Sequence, residues 1–427
     1  MVFSIFLFYG FLAPFAAGLG YLWIDMVTPQ RLAYSLINGQ PISQIMAITT
    51  IGLYLVLDRK HPPGPSFLHV LLLIWAVWVT LTTTWAEVPE NAWIKWDWAF
   101  KSIVFAIFLP FLFRTRVQIE AFFLIVIFSA SCFFLAAGAK TALGSGGYQV
   151  LGGLIQGNMG LAESSTMALV SVMLIPVILH LTKHSLIFKP GLRTNLIFYT
   201  LSIAVILAVV GTFARTGLIA LGALAIMTLM LLKNRVKYLS GIAAIASLLL
   251  IFAPQQWQDR MLTTVNYQED SSATGRLAVW KWAYEYTKEN PLGGGFEVYR
   301  INSITITTQR SEASNLSFSE QLRLRQQSGK ALHSIYFEVL AEHGFIGLAI
   351  YLAILATTLL RLSTIRRGRP GESPSPWQRS LATAMMMSIG VFVTAGAFVG
   401  IAFQPFLYYF VAMTIALHQY CLRTSDS

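Results

Sequence analysis

Apolar runs of about twenty residues recur along the chain with short polar breaks between them, and within the runs apolar and polar positions do not alternate. They fall at 2–24, 42–57, 67–84, 98–113, 118–139, 160–182, 195–213, 215–232, 237–253, 333–361, 380–398 and 402–421. Runs of this kind match a hydrocarbon core ~30 Å thick, in which backbone groups are satisfied only by helices or closed barrels. Barrel strands would alternate. The pattern therefore predicts an all-α polytopic membrane protein with about twelve transmembrane helices. Pro14 and three glycines interrupt the first run, which is expected to be kinked or split. That run lacks a basic leader, since the first basic residue is Arg31, and so it does not read as a cleaved signal peptide.

One segment departs from this pattern. The chain divides into a first membrane part over 1–253, a polar stretch over 254–332 and a second membrane part over 333–427. In the polar stretch, apolar residues at 277, 279, 280, 283, 284 and 286 predict a surface helix over 275–290, with Ser271, Ser272 and Thr274 as candidate N-caps. Pro291 and the run Gly293-Gly294-Gly295 end it, and the glycines fit a tight turn or a close backbone approach. Residues 301–330 are polar without a period and read as a flap.

Composition agrees with burial in lipid: 56% of residues are hydrophobic and 11% charged, against roughly 25% charged in soluble domains. The net charge of +11 is mainly a signal of orientation. Sixteen of the 30 basic residues lie in one set of loops, around Arg59, Arg114, Lys183, Lys233, Arg366 and Arg423. The opposite short loops hold only Arg31, Lys95, Lys101, Lys140 and Arg215. The first set is expected to be cytoplasmic, which puts both termini inside and 254–332 outside. Basic residues scattered over turns do not suggest nucleic-acid binding. The loop 85–97 carries Trp85, Trp93 and Trp96, with Trp98 beside it, as an outer aromatic belt. No Cys or His spacing suggests a metal site, and no cofactor is expected.

The candidate chemistry lies at the outer ends of the spans. Arg215 sits in the very short turn GTFARTG, where a guanidinium either snorkels or clamps an anion through paired hydrogen bonds. Arg276, in TGRLAVW, would stand at the start of the surface helix, where a cation is either a solvated surface residue or, since the position does not favour positive charge, a partner of an anion docked there. His333 opens the tenth span, where a neutral imidazole can accept a proton, although position alone also fits an interfacial His. Glu338, Glu342 and His343 form a polar group inside that span. It reads as a buried packing network, because a proton pathway would need basic partners that the spans do not offer.

Taken in order, these residues resemble the O-antigen ligase family. The matching positions are Arg215 in GTFARTG, Arg276 in TGRLAVW and His333 in HSIYFEVLAEHGFIGL, with NPLGGGFEVY similar to the family's Pro-Gly-rich segment. MVTPQRLAY, IKWDWAFK and YQEDSSATGR further resemble an O-glycosylation ligase subgroup associated with the exosortase system. The resemblance implies a metal-independent glycosyltransferase of the GT-C type in the bacterial inner membrane, with a large periplasmic loop between helices nine and ten. Such an enzyme moves a glycan from undecaprenyl diphosphate to a hydroxyl of lipid A–core at the periplasmic face. It also implies roles: Arg215 and Arg276 hold the diphosphate, and His333 is the base. Direct attack would invert the anomeric centre. Ligation to protein or polymerisation of carrier-linked repeats uses the same chemistry, and a transporter of an anionic lipid-linked substrate is the reading from another class.

Overall fold

The computed structural model describes residues 2–32, 40–58, 62–144, 146–147, 160–231, 234–252, 257, 271–305, 326–368 and 374–425. The polar flap lies mostly outside these residues, as do Arg323 and Arg325 and most of the glycine-rich loop that follows Gly144. Helices α1 (Val2–Leu12), α2 (Pro14–Val27), α3 (Pro29–Leu32), α4 (Ile42–Leu57) and α5 (Phe67–Thr84) come first. They are followed by α6 (Pro89–Leu112), α7 (Arg116–Ala142), α8 (Ser164–His184), α9 (Leu192–Gly211), α10 (Arg215–Leu231) and α11 (Arg235–Phe252). The outer segment supplies α12 (Ser271–Glu289) and a two-stranded antiparallel ribbon, β1 (Ser303–Thr305) against β2 (Gln326–Ser328), with Ile304 opposite Gln327. Then come α13 (Ile335–Arg367), α14 (Pro376–Ala395) and α15 (Pro405–Ser425).

Among the described residues, α5, α7, α8, α9 and α13, and α14 with its short extension, are the six helices long and apolar enough to cross a membrane. The chain is an all-α, multi-pass membrane protein. The most buried helix is α8, which packs against α9, α10 and α14. Its Ser171 satisfies its hydroxyl on the carbonyls of Met167 and Ala168, so it adds no unpaired polar group to this interior.

Three elements go beyond or differ from the sequence expectation. The run 2–24 is split at Pro14, as expected, and its two pieces do not make one crossing. Ala13 takes an extended conformation before Pro14, and proline favours the start of a helix because its missing N–H is not needed there. Gly10 lies against Ala17 and Gly20 against Phe6, pairs that move apart from the turn, so α1 folds back along α2. At 1.5 Å per residue the two helices are only about 16 and 21 Å long. The hairpin returns the N-terminus toward the face on which α2 ends, opposite to the expectation that it lies inside.

The fourth apolar run likewise begins earlier than 98. Its helix starts at Pro89, again at a first helical position, with Glu90 in the first turn. Lys95, expected in a loop, is therefore on a helix and buried.

The third difference is a break within α13. Gly344 has φ 70° and ψ −171°, a conformation open to glycine alone. A Cβ there would lie 2.1 Å from the Pro291 carbonyl oxygen. The break frees the carbonyls of Ala341 and Glu342, and the amides of Gly294 and Gly295 donate to them at 3.0 and 2.8 Å. Phe345 N–H donates to Pro291 in return, at 3.0 Å. The glycine run is thus a close backbone approach that fastens the outer segment to the head of α13.

Candidate active site

The outer segment docks through its own small core. Val279, Ala283, Val298, Ile304 and Leu332 pack with Ala341 of α13. The surface helix starts at Ser271 rather than 275, so the candidate caps Ser271, Ser272 and Thr274 lie within it and Arg276 falls in its second turn. That removes Arg276 from the unbonded first-turn amides, and the expected anion site at those amides does not include it. One turn further along, the Trp280 indole donates to the Leu332 carbonyl at 2.8 Å, and its ring stacks on Phe337 with centroids 5.0 Å apart. Asn302 holds Lys330 from both sides: its side-chain amide donates to the Lys330 carbonyl at 2.7 Å, and its oxygen accepts from the Lys330 amide at 2.9 Å. Residues 330–332 are therefore fixed immediately before His333.

His333 has φ 47°, in the left-handed region where His is more frequent than most side chains. Backbone in such regions persists where its surroundings over-determine it, and here the Trp280 and Asn302 bonds do so. The residue keeps an exposed surface, yet protein atoms crowd its ring. Loss of hydration and the charges of Arg276 and Lys330 lower its pKa, against the opposing pull of Glu163 and Glu338. The pKa of the imidazole is thus held below the ordinary histidine range. Burial and Arg276 also lower the pKa of Lys330. The structure therefore brings His333 and Arg276 together.

Arg215 is placed differently. Gly211 ends α9 and Arg215 opens α10, across a turn in which Phe213 has φ 51°. A Cβ on Gly217 would meet Val209 at 2.6 Å and Ala168 of α8 at 3.2 Å, so this end of α10 is seated tightly beside α8. The first turn of α8 is capped by Glu163, whose oxygens accept from the Ser165 and Thr166 amides at 2.9 and 2.5 Å. Arg215 therefore opens α10 beside α8 and is not among the charges that act on the His333 ring, whereas Arg276 is.

Behind His333 lies a network only half foreseen. Lys95 Nζ donates to Glu338 Oε1 at 2.8 Å and to Glu342 Oε1 and Oε2 at 2.8 and 3.1 Å. Glu342 Oε1 also accepts from the Glu297 amide at 2.9 Å, and Glu338 Oε2 from the Ala402 amide at 3.1 Å. The ammonium lies 5.5 and 5.2 Å from the ring centroids of Phe296 and Phe403. Glu338 and Glu342 do have a basic partner, contrary to expectation, and it comes from α6. His343 bonds Thr82 Oγ1 at 2.6 Å and sits among Trp75, Phe296 and Phe403. This is the buried packing network read from the sequence, with Lys95 added.

Residues 200–352 match the family model for O-antigen ligase. This stretch supports an assignment to the O-antigen ligase family. Residues 1–186 match a second model, a family of unknown function designated DUF5935. No curated protein matches the chain. The ligase domain supports a function of the ligase or polymerase type. Arg215, Arg276, His333, Glu338 and Glu342 all fall within it, whereas Lys95 and Glu163 come from the other matched region.

Proposed function

We propose that the chain is a glycosyltransferase that moves a glycan from undecaprenyl diphosphate to a hydroxyl of lipid A–core, at the periplasmic face of the bacterial inner membrane. In this reading the membrane part has about twelve crossings or re-entrant pieces and a GT-C-type arrangement. The observation that carries it is the exposed His333 with Arg276 acting on its ring, both within the stretch matched to O-antigen ligase. An acceptor hydroxyl is a weak nucleophile and needs a base that is unprotonated at neutral pH. His333 takes that proton as the new carbon–oxygen bond forms on the anomeric carbon. The bond from that carbon to the diphosphate oxygen breaks, and its electron pair leaves with the carrier. Arg276 and Arg215 meet the growing negative charge, as fixed cations do most effectively in a water-poor site. Attack opposite the leaving group inverts the anomeric centre. Glu338 favours a proton on His333 and so supports the imidazolium that this step creates.

The test is transfer by purified protein from carrier-linked glycan, with lipid A–core, protein and carrier-linked glycan offered as separate acceptors. The reading expects label on lipid A–core and its loss in His333→Ala, with donor binding retained. Label on protein or on the carrier would give the acceptor to the O-glycosylation or polymerase alternative. Normal transfer by His333→Ala would remove the base, and donor translocation without transfer would favour a transporter.

A further inference from the structure

A cavity of about 530 Å³ opens between α2, α4 and α6 at their outer ends, and the site described above does not use it. Its size falls within the roughly 300–1,000 Å³ of sites that enclose small organic ligands. Its lining mixes polar side chains, among them Asp25, Gln44 and Asp97, with apolar ones, among them Ile48, Val104 and Phe105. Ile48 and Val104 are exposed, so in a membrane protein this apolar lining faces lipid.

Charge decides what the polar lining can hold. Among the described residues the charged groups on the wall are Asp25, Asp97 and Lys101. Lys101 is already paired with Asp97 at 2.7 Å. Asp25 accepts from the Tyr409 hydroxyl. The wall carries one acid more than base, so a phosphate would enter against repulsion, whereas hydroxyls find carboxylate, amide and hydroxyl partners. The cations Arg276 and Lys330 act on His333 and are not among the described residues that line this cavity.

Two chain segments join the cavity to His333. Gly160 and Leu161 line it and lead within three residues to Glu163, which acts on the His333 ring. Gln404 lines it as well, two residues beyond Ala402, whose amide holds Glu338. We infer that this cavity is the acceptor subsite, and that it takes an uncharged saccharide carried on an apolar chain that enters from the bilayer. The inference rests on the proposed transfer reaction and names its second substrate. The donor diphosphate then meets the cations that act on His333, and the acceptor sugar the acidic lining of the cavity.

The test uses full-length protein in lipid nanodiscs, with Cys132→Ser and Cys421→Ser removing native thiols and Ala47→Cys placing one on the cavity wall. Maleimide labelling is followed with decyl maltoside, a neutral saccharide on a ten-carbon chain, or with decyl phosphate, the same chain with an anion. Decyl maltoside is expected to slow labelling about tenfold once its concentration reaches ~10 times its Kd, and decyl phosphate to leave it unchanged. Equal protection by both would make the cavity a groove for apolar chains, and protection by neither would make it no ligand site; either result overturns the inference. In the transfer assay, decyl maltoside is expected to compete with the acceptor and to leave the donor KM unchanged. Competition with the donor would overturn the assignment. Normal transfer by His333→Ala with maltoside protection intact would sink the catalytic reading and leave the cavity's ligand class standing.

Discussion

Around Lys95, each oxygen of Glu338 and Glu342 has a protein partner, and the whole group is shut away from water. Around His333, a few residues outward, the side chain is accessible and its neighbours pull its proton in opposite directions. Both groups are built on the head of α13, and Glu338 belongs to both. The contrast separates two uses of charge in a membrane protein. A buried ion network that is fully satisfied fixes geometry, although it adds little net stability over an apolar packing of the same volume. An accessible base with a displaced pKa is the usual mark of chemistry. Here the closed group supports the open one.

The largest effect that distinguishes the two groups is expected at His333. His333→Ala should lower transfer by about 10³- to 10⁴-fold, toward the upper end of what a positioned base supplies, and should leave the thermal midpoint unchanged. Lys95→Met should do the reverse. It strands two buried carboxylates, a change that costs about 3–5 kcal/mol, and the purified protein should melt at a markedly lower temperature. Combining Lys95→Met with Glu338→Gln and Glu342→Gln should restore part of that loss. If Lys95→Met melts like the parent, the network is not structural and the contrast collapses.

Arg276 and Glu338 allow a finer cut, because they act on His333 with opposite sign. Arg276 lowers the pKa of the ring, so in Arg276→Ala the ring stays protonated to higher pH. The acid limb of the transfer profile should then shift toward higher pH, and the donor KM should rise by roughly 10- to 100-fold for the loss of a charge-assisted pair. Glu338 raises the same pKa, so Glu338→Gln should move the limb to lower pH. Its kcat should fall as well, since the imidazolium loses a counter-charge. Parallel shifts in the two variants would show that neither charge reaches the ring as described. Arg276→Lys should recover only part of the KM, for it lacks the planar fork that grips two oxygens.

The apolar helices and the polar segment between them were legible because lipid imposes a coarse code of length and hydropathy. The finer geometry was not, for reasons that differ by residue. Lys95 was hidden because Glu90, Asp97 and three tryptophans made 85–97 read as a loop. The clue was Pro89 at a first helical position, with Ala92, Lys95, Ala99 and Ser102 following on one buried face. Glu163 sits in a cap one residue before α8, and nothing local ties it to His333, more than 150 positions away. The hairpin of α1 and α2 was missed because hydropathy counts residues and does not register a reversal at Pro14. The glycine run, by contrast, was read as a tight turn or a close approach, and the partner it approaches, at Gly344, lies inside what hydropathy treats as an unbroken span.

The smallest effect tests how the open group is held in place. The indole of Trp280 carries no charge and fixes the Leu332 carbonyl one residue before the left-handed His333. Trp280→Phe keeps the stack on Phe337 and removes only the donor. The lost hydrogen bond is worth about 1 kcal/mol, so a drop in kcat of roughly fivefold is expected if all of it acts on the position of the ring. The acid limb should stay in place, because no charge has changed, and the thermal midpoint should move little. A shift of the limb without a change in kcat would mean that the indole acts through hydration of the ring rather than through the backbone of His333. An unchanged kcat would mean that Asn302 and the docked outer segment hold residues 330–333 without it.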